Sequence, residues 1–515
     1  MKPPFRPAPL ALSPSMGILV ILTIGAAVVG CRPGGPAAQG EEAPLGEGLA
    51  LWGGTAPVDV SLEPAEHAGV YRARWETPTP AGSSVRFGQG GALDRVVEGT
   101  SEDGLHHEAL LVGLVGEEDY VVQVDSVGEG GRYQSERLPL RPEPLPDALP
   151  DVGLWQEGDS AGSGFSLTVI LQYPDAVIAL LDSQGQYVWW QEVEDVGALR
   201  ALFDPATQSV SYVGRASGGG KALWRCALDG VPEELVALPS PHHDIKLDPA
   251  GGWYVITYDE RVVTASGEVL DPGEEGGDDE GDDEEGGDDD EERGGDDEDE
   301  DSVTVLGDAV LHVSPDGRSF EVVWSSWDEF PYAGSAMSGV SGLEYPHTNS
   351  LDIDAETGDL LLSLYLADAI VRVDPTSGRS RWVMGGERSD WRFDDGEGFS
   401  RQHSPLLLDG GSRLALFDNG DGGEDGAFAE AVIYALDPDT LRARREWAYS
   451  EGGVHQRVTM GSVVPTEGGG ALVSWGSDAT LSRVTAEGQL QSVLALDGLA
   501  FGYTDHLSEV VGRGE

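Results

Sequence analysis

Basic residues are scarce in this chain. Thirty-one lysines and arginines stand against 92 aspartates and glutamates, a formal net charge of −61. A polyanion of that size is repelled by phosphate backbones, which excludes nucleic acid as a partner. Cysteine is scarcer still, with only Cys31 and Cys226, so no multi-disulfide framework holds the fold together. Cys226, in "ALWRCALDG", reads as a small buried strand residue. Stretches with the 3.6-residue apolar period of a helix are nearly absent after residue 31, whereas glycine (73) and proline (31) abound between short Leu/Val runs. This pattern excludes a helical bundle and predicts an all-β chain of two or three domains. Histidine is rare as well, ten in 515 residues, so its placement carries information.

The N-terminus has its own logic. Lys2 and Arg6 precede "GILVILTIGAAVVG", Gly17 to Gly30. Fourteen residues fall short of the roughly 20 needed to span a bilayer, and they suit a secretory leader. Val28-Val29-Gly30-Cys31 resembles a bacterial lipobox. The resemblance implies a lipoprotein signal peptide over 1–30, lipidation of Cys31 and a flexible tether over 31–50. Arg32 rather than aspartate after Cys31 favours the outer membrane, on its periplasmic or surface side, with the lipid anchor as the chain's membrane contact. An ordinary signal peptide with a chance cysteine is the alternative.

Residues 51–142 form a unit of alternating strands, and "ALLVGLVGEEDYVVQV" resembles the late strands of a fibronectin type III-like sandwich. His106 and His107 are expected on its surface or between domains. A proline-rich linker follows. Over 150–510 a repeat appears: an apolar strand, an Asp-x-x-x-Gly turn, a second strand, then another turn. "AVIALLDSQGQYVWWQEV", "ALWRCALDGVPEELVAL", "AVLHVSPDGRSFEVVW", "AIVRVDPTSGRSRWVMGG", "AVIYALDPDTLRARREW" and "ATLSRVTAEGQLQSVL" are six copies. The expected fold is therefore a six-bladed β-propeller preceded by a small fibronectin III-like β-sandwich, with a sandwich array as the alternative. The segment 271–302 interrupts the third copy with 21 acidic residues between Asp271 and Asp301 and a single arginine. It cannot bury enough apolar area to offset its ordering entropy and is expected to be a disordered loop. It also lacks the fixed ligand order of a Ca²⁺ loop.

Three copies begin alike, with "PHHDIKLDPAGGWYVITYD", "PHTNSLDIDAETGDLLLSLY" and "QHSPLLLDGGSRLALFDNG". His243, His347 and His403 each precede a leucine by four residues. Equivalent positions at the inner end of a blade's first strand converge on the central channel, so the three imidazoles are expected to face one another. Three histidines are also a possible zinc set, with Asp244 and Asn349 as orienting neighbours. No close His-x-His or His-x₃-His pair accompanies them, so no metal or other cofactor is assigned.

These motifs, with "IVRVDPTSGRSRWVMGG", resemble in their order and combination the bacterial arylsulfotransferases that need no nucleotide sulfate donor. The resemblance spans roughly 150–510. It implies ping-pong transfer of a sulfuryl group from a phenolic sulfate ester to a phenol. By position, His403 is the nucleophile that is transiently sulfated, while His347 and His243 handle protons and sulfate oxygens. Asn349, His242, Tyr365 and Arg401 complete the expected substrate-binding set. One position departs from the family, whose Ser-x-Arg is here Ser363-Leu364-Tyr365. Tyrosine offers neither the charge nor the fork of a guanidinium. Arg401 and Arg225 are the candidate replacements. A catalytically inactive ligand-binding propeller and a metal-dependent hydrolase or lyase remain the rival readings.

Overall fold

A computed structural model describes residues 60–515 except 129–130, 157–162, 265–268, 271–301, 331, 333–335, 340–341, 395, 397, 421–427, 456–457, 509, 511–512 and 515. The expected leader, Cys31, the tether and the acidic insertion up to Asp301 lie outside the described residues. No helix among the described residues is long and apolar enough to cross a membrane.

Six sheets follow one another, each built on four antiparallel strands. Their innermost strands are β1 (Leu202–Asp204) of sheet two, β2 (Pro241–Leu247) of sheet three, β3 (Thr348–Ile353) of sheet four, β4 (His403–Leu408) of sheet five, β5 (Ser462–Pro465) of sheet six and β6 (Ala500–Leu507) of sheet one. The middle strands are apolar on both faces because each sheet packs between two others. Leu360–Leu364 is the clearest case, with all five residues buried. Leu360, Leu362 and Leu364 meet Tyr254 and Ile256 of sheet three. Leu361 turns the other way, onto Leu414 and Leu416 of sheet five. At about 25 cal/mol per Å² of apolar surface buried, such two-sided strands supply most of the ring's stability.

The pattern closes on itself. Sheets five and six share Phe417 and Trp475, sheets six and one share Leu481 and Phe501, sheets one and two share Ile178 and Tyr212, and sheets two and three share Leu223 and Val255. The two ends of the repeat region are interlocked. Gly153–Gln156 adds to the outer edge of sheet six, and β6 completes sheet one. The all-β architecture is thus propeller-like. Trp253–Val263 and Val303–Val313, each 11 residues long, flank the acidic insertion and pair as far as Val263 and Val303.

Ahead of the ring, two sheets between Ser61 and Leu140 enclose a core of Trp75, Phe87, Leu111, Tyr120 and Val122. His106 is exposed, beside Asp103 at 2.6 Å. His107 corrects the sequence expectation. It is buried, stacked on Trp75 with ring centroids 5.4 Å apart, because its strand alternates and its neighbour takes the outward position. Cys226 is fully buried in the core between sheets one and two, and burial pushes its thiol up to about 12. It is not a reactive thiolate.

Candidate active site

The N-terminal ends of β2, β3 and β4 bring the three histidines together. The rings of His243 and His347 lie 4.7 Å apart, and the ring of Tyr365 stands 5.5 Å from His347 and 5.8 Å from His403. The approach is not a simple register match. The leucine four residues on pairs with Trp253, Leu362 and Leu414 respectively, which are the first, third and second pairs out from their hairpin turns. Irregularities between Pro241 and Ile245, Thr348 and Ser350, and His403 and Leu406 absorb these offsets. Bulges of this kind re-aim side chains. His243 and His347 sit at φ of 57° and 63°, and Ser404 at 49°. Left-handed backbone at non-glycine residues costs on the order of 1 kcal/mol each and persists where surroundings enforce it.

Each histidine has its Nδ1 occupied. Asn419 donates its amide hydrogens to the carbonyls of Val458 and Met460, both at 2.8 Å, which turns its Oδ1 toward His403 Nδ1 at 2.7 Å. His403 therefore donates from Nδ1 and keeps its lone pair on Nε2. Burial lowers its pKa to about 4, so the ring is neutral at pH 7. His347 Nδ1 donates to Glu344 Oε2, and the Tyr258 hydroxyl donates to Glu344 Oε1 at 3.0 Å. Burial pushes the Glu344 carboxyl up, but these hydrogen bonds outweigh it and hold the group below its ordinary value. His243 Nδ1 lies 2.7 Å from His242 Nδ1. Burial, then the neighbouring histidines, keep His243 well below an ordinary imidazole. A cavity of about 610 Å³ opens on His243, His347, Glu344, Tyr258 and Lys221, a volume suited to a small aromatic ligand.

The other expected site residues are distributed differently. Asn349 is fully buried; it donates to the Gln402 carbonyl at 2.8 Å and accepts from the Ser350 hydroxyl at 2.9 Å, so it ties β3 to β4 rather than gripping a ligand. His242 turns its nitrogens to His243 and to Asp308 Oδ1, the latter at 3.2 Å, while it also lines the cavity. Arg401 is exposed, its guanidinium 5.9 Å above the Tyr365 ring. Arg225 is no replacement for the family arginine. It lies on the third strand of sheet two, paired with Glu233 at 2.9 Å.

The sequence reading missed the buried guanidinium of Arg200. Its Nε meets Asp244 Oδ1 at 2.7 Å, its Nη1 meets Asp505 Oδ1 at 2.5 Å, and its Nη2 reaches Ser404 Oγ at 3.4 Å. The group lies 4.9 Å above the Tyr503 ring, which is itself 6.3 Å from His403. It lies two residues ahead of β1, whereas His347 lies one residue ahead of β3, His403 opens β4 and His243 is the third residue of β2, so no shared spacing marked it. Asn419 was visible only as the turn of "LFDNG", and Asp308 and Glu344 carried no mark at all. Among the described residues no group of three or more His, Cys, Asp or Glu is placed to hold a metal ion.

Residues 313–494 match the model of the arylsulfotransferase (ASST) family, a stretch that includes His347, Tyr365, His403 and Asn419 but not His243. No curated protein matches the chain. Similar solved structures include a Bacteroides caccae protein of unknown function, 12% identical, covering 67% of this chain and 100% of its own, with a TM-score of 0.38. Virginiamycin B lyase from Staphylococcus aureus is 9% identical, covering 66% of this chain and 87% of its own, with a TM-score of 0.33. No conclusion about chemistry rests on these two.

Proposed function

We propose that this chain is a sulfuryl-transfer enzyme on a six-bladed β-propeller, preceded by a fibronectin III-like domain. It moves a sulfuryl group from a phenolic sulfate ester to a phenol. The observation that carries this reading is the locked tautomer of His403, with Asn419 at Nδ1 and a neutral lone pair on Nε2 beside two further imidazoles. Nε2 attacks sulfur, the sulfur–oxygen bond breaks, and its electron pair departs on the phenolate. The ring then carries the sulfonate at Nε2 and retains its proton at Nδ1. An acceptor phenol gives its proton to a neighbouring histidine and attacks sulfur, and the nitrogen–sulfur pair returns to His403. In the same proposal residues 1–30 are a lipoprotein leader and Cys31 anchors the enzyme to the cell envelope.

A second reading, a ligand-binding propeller without turnover, is favoured by Tyr365 where the family has arginine. Removing one such charge-stabilising donor costs roughly 3 kcal/mol of transition-state stabilisation if nothing replaces it. Peptide mass spectrometry after incubation with a chromogenic aryl sulfate, quenched in alkali, separates the two. A sulfuryl adduct on the His403 peptide, absent in His403→Ala, is the expected result. No adduct in the native chain, nor in Tyr365→Arg, makes the protein a binder.

A further inference from the structure

Behind His243 stands a buried acid. Asp308, on the third strand of sheet three, is fully buried. Its Oδ2 accepts the backbone N–H of Thr348 at 2.7 Å. Its Oδ1 lies 3.2 Å from His242 Nε2, an ion-pair contact without hydrogen-bond alignment, and among the described residues neither atom has a hydrogen-bond partner. A buried carboxylate oxygen and an imidazole nitrogen placed so require a proton between them. The His242 ring is held in plane by Tyr258, stacked on it at 3.9 Å and 16°.

The protons can be followed outward. The carboxylate 3.2 Å from His242 Nε2 favours a hydrogen rather than a lone pair on that nitrogen, so His242 Nδ1 carries the lone pair. His243 must then donate from its Nδ1 across the 2.7 Å contact, which leaves the His243 lone pair on Nε2. We propose that Asp308, acting through His242, makes His243 the base that takes the proton of the acceptor phenol. This rests on the sulfuryl-transfer reading and assigns the proton step within it. As the phenol O–H breaks, its proton moves to His243 Nε2 and the phenolate attacks the sulfur held on His403. The imidazole pair gains one positive charge, offset by the buried carboxylate. Asp308 and His242 are positioning residues that touch no reacting atom.

Asp308→Asn tests this sharply, because Thr348 dictates how the new amide sits. The amide oxygen must remain on the Thr348 N–H, so the NH₂ faces His242 Nε2 and reverses both tautomers behind it. Pre-sulfated full-length protein is mixed with a series of phenols of differing acidity. Transfer to weakly acidic phenols is expected to fall by about a hundredfold or more, while phenols already ionised at the assay pH lose far less. Nitrogen NMR of labelled histidine, read on the resting protein, is expected to move the proton of His243 from Nδ1 to Nε2. An equal loss across all phenols, or a His243 tautomer that does not move, overturns the inference.

His242→Gln is the second variant, should Asp308→Asn fail to fold. Its amide can bridge His243 and Asp308 but cannot share the positive charge. It should keep the His243 tautomer and still lose transfer to weakly acidic phenols; full retention of transfer overturns the proposal. If the native chain forms no sulfuryl adduct, the transfer reading falls, and the NMR arm alone decides whether Asp308 sets His243.

Discussion

Three imidazoles that look equivalent in the sequence meet three different partners at Nδ1: an amide oxygen for His403, a carboxylate for His347 and a second imidazole for His243. The burial of His403 has a consequence for stability. Its folded pKa, about 4, lies below the ordinary 6.5, so between these values the unfolded chain takes up a proton at this position and the native chain does not. Stability from this group is therefore complete above pH 6.5 and is lost as pH falls toward 4, by about 3 kcal/mol in total. Buried His67 and His243 are also lowered and act in the same direction, whereas His455, raised by Glu451 and Asp478 against the pull of its burial, acts in the opposite one. Urea unfolding at pH 7 and near pH 4.5, compared between the native chain and His403→Gln, isolates the His403 share. The variant is expected to lose measurably less stability on acidification, and equal losses would contradict the buried neutral ring.

Among the strands, the ends of β2, β3 and β4 are knit by polar groups rather than by apolar contact. Arg200 joins Asp244 of β2, Ser404 of β4 and Asp505 of β6. Replacing Arg200 by methionine leaves Asp244, which is fully buried, without its cation. The expected loss is about 3–5 kcal/mol, read as a lower urea midpoint. Adding Asp244→Leu restores only part of it, because Asp244 Oδ2 also accepts the Leu351 N–H at 3.1 Å. The six copies were legible because each carries its own apolar alternation and turn chemistry. The irregularities that deliver the histidines to one place were not, since a bulge is decided by the partner strand and by what packs behind it.

The ring as a whole joins residues far apart in sequence: Thr168 and Thr504, 336 positions apart, bond through their hydroxyls at 2.9 Å where the last strand closes sheet one. In the proposed reaction a chain of net charge −61 must take in an anionic ester. Encounter is therefore opposed at low ionic strength and relieved by screening. The second-order rate with an aryl sulfate is expected to rise several-fold between about 20 and 200 mM salt, while the KM for a neutral phenol stays level. A rate that falls with salt would show that local cations, Lys221 lining the cavity and Arg401 over the Tyr365 ring, outweigh the global field.

Composition and repeat pattern were enough to establish an all-β chain of six similar sheets and to single out His243, His347 and His403. Those signals are local, since period, turn residues and rare residue types are written within a few positions of one another. The tautomer of each imidazole, the burial of Arg200 and the acid behind His242 were decided only by tertiary structure. Arg200 meets a partner 305 positions away and Asn419 one 41 positions away. A proton's place on a ring depends on which acceptor the fold carries to it, and no stretch of sequence contains both.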